Sequence, residues 1–317
     1  WILYDLLTNT RYGAGLPNIN KPKLYEIGKY CDELVPRGDG TFEPRFTINT
    51  QIQSREDAYK VLNAVASAAR VKLHWGSNTL VPTQDRPTPV TREFSNSNIV
   101  DGTFKYQGSA KKARHNVANV TWNDPENNYQ RVTERVEDPI GIREMDELVE
   151  SDITAFGCTS RSQARRYGLW KLYTERKETD VVEFDTTLEV YDMEPNEVIN
   201  VYDLFKMGAR LSGRIVYPEL NDIEIDEVPD LSLGTNWQFI VKFDDGTVET
   251  RDVIGNEGNV IQLQNDLTKK PSYNAIWTLQ GDNIKPVQYR VIKVVENEDF
   301  TYTVTAQMHD PDKYEEL

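Results

Sequence analysis

The stretch Ala155 to Arg176, AFGCTSRSQARRYGLWKLYTER, decides how this sequence is interpreted, because it joins a strand end to a capped helix. Gly157 has the conformational freedom that lets a strand break sharply before a helix. Ser160 is predicted to be the helix N-cap with Gln163 at the third helical position, so that hydroxyl and amide satisfy two backbone N–H groups reciprocally. The stretch therefore predicts architecture, with no reactive group poised within it.

The helix predicted after this cap carries small and apolar side chains at fourfold spacing, namely Ala164, Gly168 and Leu172. Small residues in such a stripe let a helix approach a packed sheet closely. Cys158, just before the helix, is interpreted as a small buried hydrophobe. Three arginines lie off the stripe, and we interpret them as solvated or interface charges: Arg161, Arg165 and Arg166.

This stretch resembles the corresponding segment of the tail-tip, or central tail hub, proteins of long-tailed bacteriophages, often called host-specificity proteins. Two further stretches resemble the same family in the same order. The first comprises NIVDGTFKYQGS from Asn98 and RHNVANVTWNDPENNYQ from Arg114, and the second is the terminal TYTVTAQMHDPDKYEEL from Thr301. The resemblance covers nearly the whole chain from Trp1.

One departure from the family pattern lies at PNEVI, residues 195–199, where the family usually has Pro-Gly-Asp before two aliphatic residues. Asn196 tolerates the left-handed backbone conformation that Gly would supply, so we expect the turn to persist. A role of the usual Asp at this turn is not carried over to this chain.

The resemblance implies a threefold ring that closes the tail tube and leads to distal modules that meet the host receptor. The implied partners are further copies of this chain as a homotrimer, other tail-tip and tail-tube proteins, and a host receptor reached through modules outside this sequence. The implied location is the virion tail tip, after assembly in the host bacterial cytoplasm. The start at Trp1 without Met leads us to expect that the sequence is a piece of a longer protein.

The charge distribution weighs against stable nucleic-acid binding. The net charge is −15, from 36 basic and 51 acidic residues. Residues 214–317 contain 9 basic and 20 acidic residues (−11), whereas residues 1–213 contain 27 and 31 (−4). An acidic domain lacks the counterion release that drives binding to a phosphate backbone. If DNA passes this protein in a tail, we expect carboxylates along the route to repel it and to prevent stable binding.

Length and patterning predict an α+β fold in three parts. Residues 1–45 are expected to form two short helices that pack on the next domain or on a neighbouring subunit. Residues 46–213 are expected to form a mixed sheet-and-helix hub domain. Residues 214–317 are expected to form a small all-β barrel or sandwich domain.

Local signals define several elements of this arrangement. Alternating apolar residues predict a strand over Phe46–Ile52, and Ser54 is predicted to cap the helix that follows. The pair Asp245-Gly246 between two alternating runs predicts a hairpin. No apolar run is long enough for a membrane span, so membrane insertion is not expected.

Neither a catalytic site nor a metal or cofactor site is predicted. Cys31 and Cys158 are too few for a disulfide framework and are expected to be reduced and buried. A dyad of Cys158 with His115 stays open, because such dyads form in space rather than in sequence. A glycosidase-like acid pair also stays open. Its candidates alternate with isoleucines in the way a solvated strand face does, and they are Asp222, Glu224, Asp226 and Glu227.

The function predicted from these observations is that of a structural tail-tip component with subunit contacts on its surface. The candidate interface residues are the helices of residues 1–35 and two basic groups, Arg161, Arg165 and Arg166 with Lys111, Lys112 and Arg114. The main alternative is an adhesin-like module whose C-terminal β domain binds a host surface glycan or protein. A cell-wall-degrading enzyme is a third class.

Overall fold

A computed structural model describes residues 1–52, 57–76, 79–108, 114–203, 206, 211–282 and 286–315. It confirms a mixed class of helices and sheets. The chain divides into two compact units. Unit 1 comprises residues 1–87, 108–179 and 310–317, and unit 2 comprises residues 88–107 and 180–309.

Among the described residues, five α-helices lie in unit 1. They are α1 (Ile2–Thr8), α2 (Lys21–Asp32), α3 (Ala58–Ser67), α4 (Pro139–Met145) and α5 (Arg161–Lys177). The strands of unit 1 are β1 (Leu34–Pro36), β2 (Phe42–Pro44), β3 (Val71–Gly76), β4 (Thr79–Gln84), β7 (Val117–Asp124), β8 (Gln130–Glu137) and β9 (Glu150–Thr154).

Unit 2 is built from strands. They are β5 (Val90–Ser95), β6 (Lys105–Gly108), β10 (Asp180–Thr186), β11 (Val198–Tyr202), β12 (Ser212–Tyr217), β13 (Asp222–Ile225), β14 (Gln238–Lys242), β15 (Val248–Glu257), β16 (Val260–Leu263), β17 (Ile276–Gln280), β18 (Val287–Glu296) and β19 (Tyr302–Met308).

In unit 1, helix α5 packs on a three-stranded sheet with the order β8-β7-β9. Strands β7 and β8 are antiparallel, and β9 runs parallel to β7. The stripe predicted on α5 is confirmed as buried: Ala164 and Gly168 face the sheet, and Leu172 is 1% exposed. A Cβ placed on Gly168 would lie 2.9 Å from Val136 Cγ2 and 3.0 Å from Val120 Cγ2, so only glycine permits this close approach.

A second core in unit 1 joins the first three helices to the hairpin β3–β4. Its buried members include Leu7 of α1, Leu24 of α2 and Val65 of α3. The helices predicted near the start of the chain are therefore present, and they pack within unit 1. The segment to residue 45 also contains the antiparallel pair β1–β2, which the sequence interpretation did not include.

Unit 2 contains a six-stranded sheet with the order β5-β11-β18-β19-β10-β6. Its core is rich in aromatic residues, and the rings of Phe94 and Phe184 lie 4.8 Å apart. Strands β12-β13-β16-β15-β14-β17 form a closed barrel, whose core includes the parallel rings of Phe239 and Trp277. The predicted hairpin at Asp245-Gly246 is confirmed as the connection between β14 and β15.

Several sequence-based expectations differ from the structure. Phe46–Ile52 is extended but pairs with no strand among the described residues. Helix α3 begins at Ala58, with Asp57 as N-cap accepting from the backbone N–H of Lys60, whereas Ser54 lies outside the described residues. Strands β18 and β19 belong to the six-stranded sheet, although the sequence grouped them with the barrel strands. The predicted three-part division itself stays a prediction.

Candidate functional site

The candidate site is the turn at Gly157 and the start of helix α5, which the sequence analysis identified. Gly157 has a positive φ of 64°, and a Cβ on it would lie 2.5 Å from Ile48 Cγ1. The left-handed backbone and the close approach of Ile48 both require glycine here. Cys158 is 2% exposed, and its thiol donates to the carbonyl of Ser160 at 3.2 Å. Burial raises the pKa of this thiol, so Cys158 is a structural residue and not an activated nucleophile.

The predicted helix cap is half confirmed. Ser160 Oγ accepts from the backbone N–H of Gln163 at 3.4 Å, as an N-cap does. The Gln163 side chain does not complete the capping box, however. Its Oε1 accepts from the backbone N–H and hydroxyl of Thr47 at 3.1 and 3.0 Å, and its Nε2 donates to the Thr47 carbonyl at 3.0 Å. Gln163 thus serves as the hydrogen-bond partner that the extended, unpaired segment around Thr47 needs.

A carboxylate from strand β2 occupies the start of α5. Glu43 Oε2 accepts from Ser160 Oγ at 2.7 Å, and Glu43 Oε1 accepts from Ser162 Oγ. Arg166 Nη1 lies 2.8 Å from Glu43 Oε1, and Arg37 Nε lies 3.4 Å from Oε2. Burial raises the pKa of Glu43, but the hydrogen bonds from Ser162, Ser160 and Arg166 outweigh it and hold the pKa below its usual value. An ionised carboxylate is also favoured at a helix N-terminus.

The three candidate arginines in the first two turns of α5 therefore differ in environment. Arg166 is largely buried, pairs with Glu43 and donates to the carbonyl of Arg45 at 3.1 Å. Arg161 is 72% exposed and pairs with Glu134 at 2.8 Å. Arg165 is exposed and forms no side-chain ion pair or hydrogen bond with another described residue. Only Arg161 and Arg165 have guanidinium groups that a partner could contact.

The second basic group is only partly described. Arg114 is half-buried, whereas Lys111 and Lys112 lie outside the described residues. His115 next to it donates its backbone N–H to Glu175 Oε2 at 2.9 Å, and its Nδ1 lies 2.8 Å from the same oxygen. His115 and Cys158 thus have different partners, and no hydrogen bond joins the two in the described structure.

Two of the four acidic candidates of unit 2 also have structural roles. Asp226 accepts from the backbone N–H of Arg214 at 2.9 Å and from the indole N–H of Trp277 at 3.0 Å. Glu224 accepts from the amide of Asn259 at 3.1 Å. In the part of the chain that the structure describes, no three His, Cys, Asp or Glu side chains are grouped so that they could hold a metal ion.

A buried ion-pair network in unit 1 was missed by the sequence interpretation. Lys313 is 1% exposed, and its ammonium lies 3.0 Å from Asp85 Oδ2 and 2.7 Å from Glu178 Oε1. Asp85 also accepts from the indole N–H of Trp170 at 2.6 Å and from the Tyr314 hydroxyl at 2.5 Å. Through these hydrogen bonds and ion pairs, residues 313 and 314 contact helix α5 and the end of β4. Nothing in the local sequence distinguishes Lys313 from a surface lysine.

A second feature without a sequence signal is the turn between β18 and β19. Phe300 in this turn is 78% exposed and has a positive φ of 63°. Bulky residues rarely adopt this conformation, because their side chains clash with the backbone. Two side chains fix the turn. Asp299 accepts from the Thr301 hydroxyl at 2.6 Å, and Asn297 donates to the hydroxyls of Thr301 and Thr303 at 3.0 Å each.

None of the described helices is long and apolar enough to cross a membrane.

A family model described as a putative phage tail protein matches residues 57–216. The whole chain is 32% identical to the tip attachment protein J of Escherichia phage SECphi27, of which it covers 27%. Against the tip attachment protein J of Escherichia phage SECphi4 it is 29% identical over 97% of this chain and 27% of that protein. The chain thus spans about a quarter of the length of these curated relatives.

Two solved structures are similar at low identity. A chain from the virion of a native gene transfer agent particle aligns with 81% of this chain and 40% of its own length, at 12% identity and a TM-score of 0.45. The 43 kDa tail protein of prophage MuSo2 from Shewanella oneidensis aligns with 83% of this chain and 55% of its own length, at 12% identity and a TM-score of 0.36.

Proposed function

The chain belongs to the putative phage tail protein family whose model it matches, and from this premise we propose that it is a structural part of a tail-tip hub. In this proposal, copies of the chain form a ring, a homotrimer, that closes the tail tube. The ring contacts other tail-tip and tail-tube proteins and connects to receptor-binding modules elsewhere in the full-length protein. Its location is the virion, after assembly in the host cytoplasm.

The observation that carries this proposal is the exposed outer half of strand β18. Residues 287–290 of β18 pair with β11, and the backbone of Val291 bonds to Asn196 and Glu197. Beyond Val291, only β19 pairs with β18 among the described strands. The other edge of residues 292–296 therefore has backbone N–H and C=O groups available to a strand of another chain.

Three apolar side chains on this half of the hairpin are exposed, next to the exposed charged residues Lys293, Glu296, Glu298 and Asp299. Ile292 is 46% exposed, Val295 is 45% exposed and Phe300 is 78% exposed. An unpaired strand edge is a template for pairing with another chain, and strand addition is a recurring mode of recognition. We assign this hairpin edge, residues 292–300, to a contact with a second copy of the chain.

A ring requires two different surfaces on each copy, because its contacts are heterologous and close by rotation. The hairpin edge supplies one surface. We retain the exposed arginines Arg161 and Arg165, and the helices within residues 1–35, as candidates for the complementary surface. Arg166 is less suited to this role, since its guanidinium group is largely buried, whereas that of Arg161 is exposed although paired with Glu134.

The proposed lumen carries DNA without binding it. This part of the proposal rests on the acidic excess of residues 214–317, where 20 carboxylates outnumber 9 basic residues. Like charges along a channel repel the phosphate backbone. The isolated chain is expected to bind no double-stranded DNA in a filter or gel-shift assay at low salt. Salt-sensitive binding there would contradict the lumen proposal while leaving the ring proposal in place.

The experiment that tests the ring proposal replaces Val295 and Phe300 together by Asp in the full-length protein. Two charges on the hairpin edge should prevent pairing between copies, so tails in the lysate should lack complete tips and the plaque titre should fall at least about a hundredfold. Electron microscopy of the lysate and plaque assays measure these effects.

The matched control replaces Tyr191 and Tyr59 by Asp, because both are exposed aromatic residues outside the segment 292–300. Thermal unfolding of each purified variant shows whether it still folds. Normal tails and titres from a folded Val295→Asp, Phe300→Asp variant would overturn the proposal.

A further inference from the structure

An exposed aromatic pair lies on the barrel of unit 2. The rings of Tyr217 and Tyr273 are 6.1 Å apart, with an interplanar angle of 80°. Tyr217 is 49% exposed and Tyr273 is 63% exposed. Neither hydroxyl forms a hydrogen bond with another residue in the described part of the chain. We call this pair, with the Glu219 and Lys270 side chains beside it, the tyrosine patch.

The backbone around the tyrosine patch holds both rings outward. Strand β12 has a bulge between Ile215 and Tyr217 in its pairing with β13, and a bulge changes the direction in which a side chain points. Tyr273 is followed by Asn274, whose φ is 61°. The backbone N–H of Asn274 donates to the Ile215 carbonyl at 2.9 Å, which ties the two segments together. The two backbone segments that carry the rings are thus held together.

The two charged side chains of the patch, Lys270 and Glu219, have opposite charges. Lys270 pairs with Glu219 at 3.1 Å, and its ammonium lies 5.6 Å from the centroid of the Tyr217 ring. Both side chains of this pair are nearly half exposed. This pair therefore offers donors and acceptors beside the rings, and its two charges cancel, while Glu224 lies opposite Tyr217 in the strand register.

We propose that the tyrosine patch binds one or two rings of a neutral sugar in a bacterial surface glycan. This inference rests on the proposed tail-tip function, which brings the chain to the cell surface. The C–H face of a sugar carries partial positive charge and stacks on the electron-rich face of an aromatic ring. Its hydroxyl groups take hydrogen bonds from the Lys270 ammonium and the tyrosine hydroxyls and donate to the Glu219 carboxylate.

The size and composition of the patch favour a sugar over a protein partner. Stable protein interfaces bury on the order of 800 Å² on each side around an apolar core. Here the exposed apolar neighbours are Val216 and Leu220, and polar groups adjoin the rings directly. Lys270 is already paired with Glu219, and Glu224 lies opposite Tyr217, so a neutral sugar is favoured over a phosphorylated one. Small sites with a few convergent polar groups are typical of small-molecule recognition.

The test measures binding of two probes to the purified chain by titration calorimetry and ligand-observed NMR. One probe is the N-acetylglucosamine tetrasaccharide, as a peptidoglycan mimic, and the other is a deacylated, dephosphorylated lipopolysaccharide core from an Escherichia strain. We expect saturable binding of at least one probe with a Kd of about 1 mM or tighter. The probe that binds distinguishes the two sources of glycan.

Substitutions of the two tyrosines test whether the sugar binds at the tyrosine patch. Tyr217→Ala and Tyr273→Ala should each weaken it at least about tenfold, whereas Tyr217→Phe, which keeps the ring, should weaken it less than about threefold. Tyr191→Ala is the control, because Tyr191 is 74% exposed and lies outside the patch. Circular dichroism confirms that each variant is folded.

Three results would overturn the sugar site. They are no saturable binding of either probe, equal binding by the alanine variants, and a change in sedimentation on Tyr217→Ala that indicates a protein contact instead. The ring proposal is tested separately by tail assembly with the hairpin variant. Failure of one proposal is therefore distinguishable from failure of the other.

Discussion

The start of helix α5 and the tip of the β18–β19 hairpin contrast in how they use their side chains. At the helix start, Ser160, Gln163 and Arg166 all bond to other parts of unit 1. At the hairpin tip, Phe300 is exposed in a strained backbone conformation, and the strand edge beside it has no partner among the described residues. The most recognisable sequence motif thus holds the fold together, while the surface that we propose for assembly has no motif.

This contrast predicts that the interior of unit 1 tolerates substitution poorly. Lys313→Met removes the buried ammonium that pairs with Asp85 and Glu178, which should cost about 3–5 kcal/mol of unfolding free energy. Urea denaturation of the purified chain measures this loss. The control Lys177→Met removes an exposed lysine at the end of α5 and should cost less than about 1 kcal/mol. A loss for Lys313→Met no larger than that of the control would show that the network contributes little.

Two glycines in helices provide a sharper comparison. Gly168→Ala adds a methyl group against Val136 and Val120, and overpacking should cost about 1–3 kcal/mol despite the better helix propensity of alanine. Gly28→Ala in α2 meets only Trp1, at 3.9 Å, and should stabilise the chain by about 0.5–1 kcal/mol. Urea denaturation of the wild type and of both variants measures these changes in unfolding free energy. The same sign for both substitutions would contradict the packing described for α5.

At the hairpin tip, a substitution of the exposed Phe300 should stabilise the chain, whereas substitutions in the interior of unit 1 should destabilise it. Phe300→Asn places a residue that tolerates the left-handed region where Phe is strained, so the isolated chain should gain about 0.5–1 kcal/mol of stability. The matched control is Tyr191→Asn, because Tyr191 is equally exposed but has an ordinary φ of −58°. A loss of stability for Phe300→Asn would mean that the phenyl ring packs within its own chain.

The smallest expected effect is a pH dependence from His74 in strand β3. Burial lowers the pKa of His74, with a further contribution from Lys23, and both ring nitrogens lack a hydrogen-bond partner among the described residues. Unfolded His74 binds a proton near its ordinary pKa of about 6.5, whereas the folded form resists protonation. The unfolded state therefore binds more protons as the pH falls below that value, and stability declines.

The measurement compares the wild type with His74→Gln at pH 7.5 and 5.5. Stability of the wild type should fall more than that of the variant on acidification, because glutamine does not titrate. An equal loss of stability in both proteins on acidification would show that His74 does not cause the pH dependence.

Local signals predicted the local structure well. Ser160 is the N-cap of α5, the stripe of Ala164, Gly168 and Leu172 is buried, and Asn196 adopts the left-handed conformation with a φ of 79°. Each of these depends on residues only a few positions apart. The Asp245-Gly246 hairpin belongs to the same class.

Long-range partners could not be predicted in this way. Gln163 bonds to Thr47, which is 116 residues away, so its capping-box spacing was misleading. Lys313 bonds to Asp85 across 228 residues. The assignment of β18 and β19 to the six-stranded sheet also depends on pairing with distant strands. The tyrosine patch is formed in the same way, from two segments that only the barrel brings together.

The central claim, that the hairpin tip joins copies of the chain, is tested most directly by photo-crosslinking from position 300 in intact virions. The full-length protein would carry p-benzoylphenylalanine in place of Phe300, and a second preparation would carry it in place of Tyr191 as the control. Irradiation followed by mass spectrometry of the crosslinked bands identifies the neighbour. The account predicts a crosslink between two copies of this chain from position 300 and none from position 191. A crosslink from position 300 only to a different protein, or to none, would contradict it.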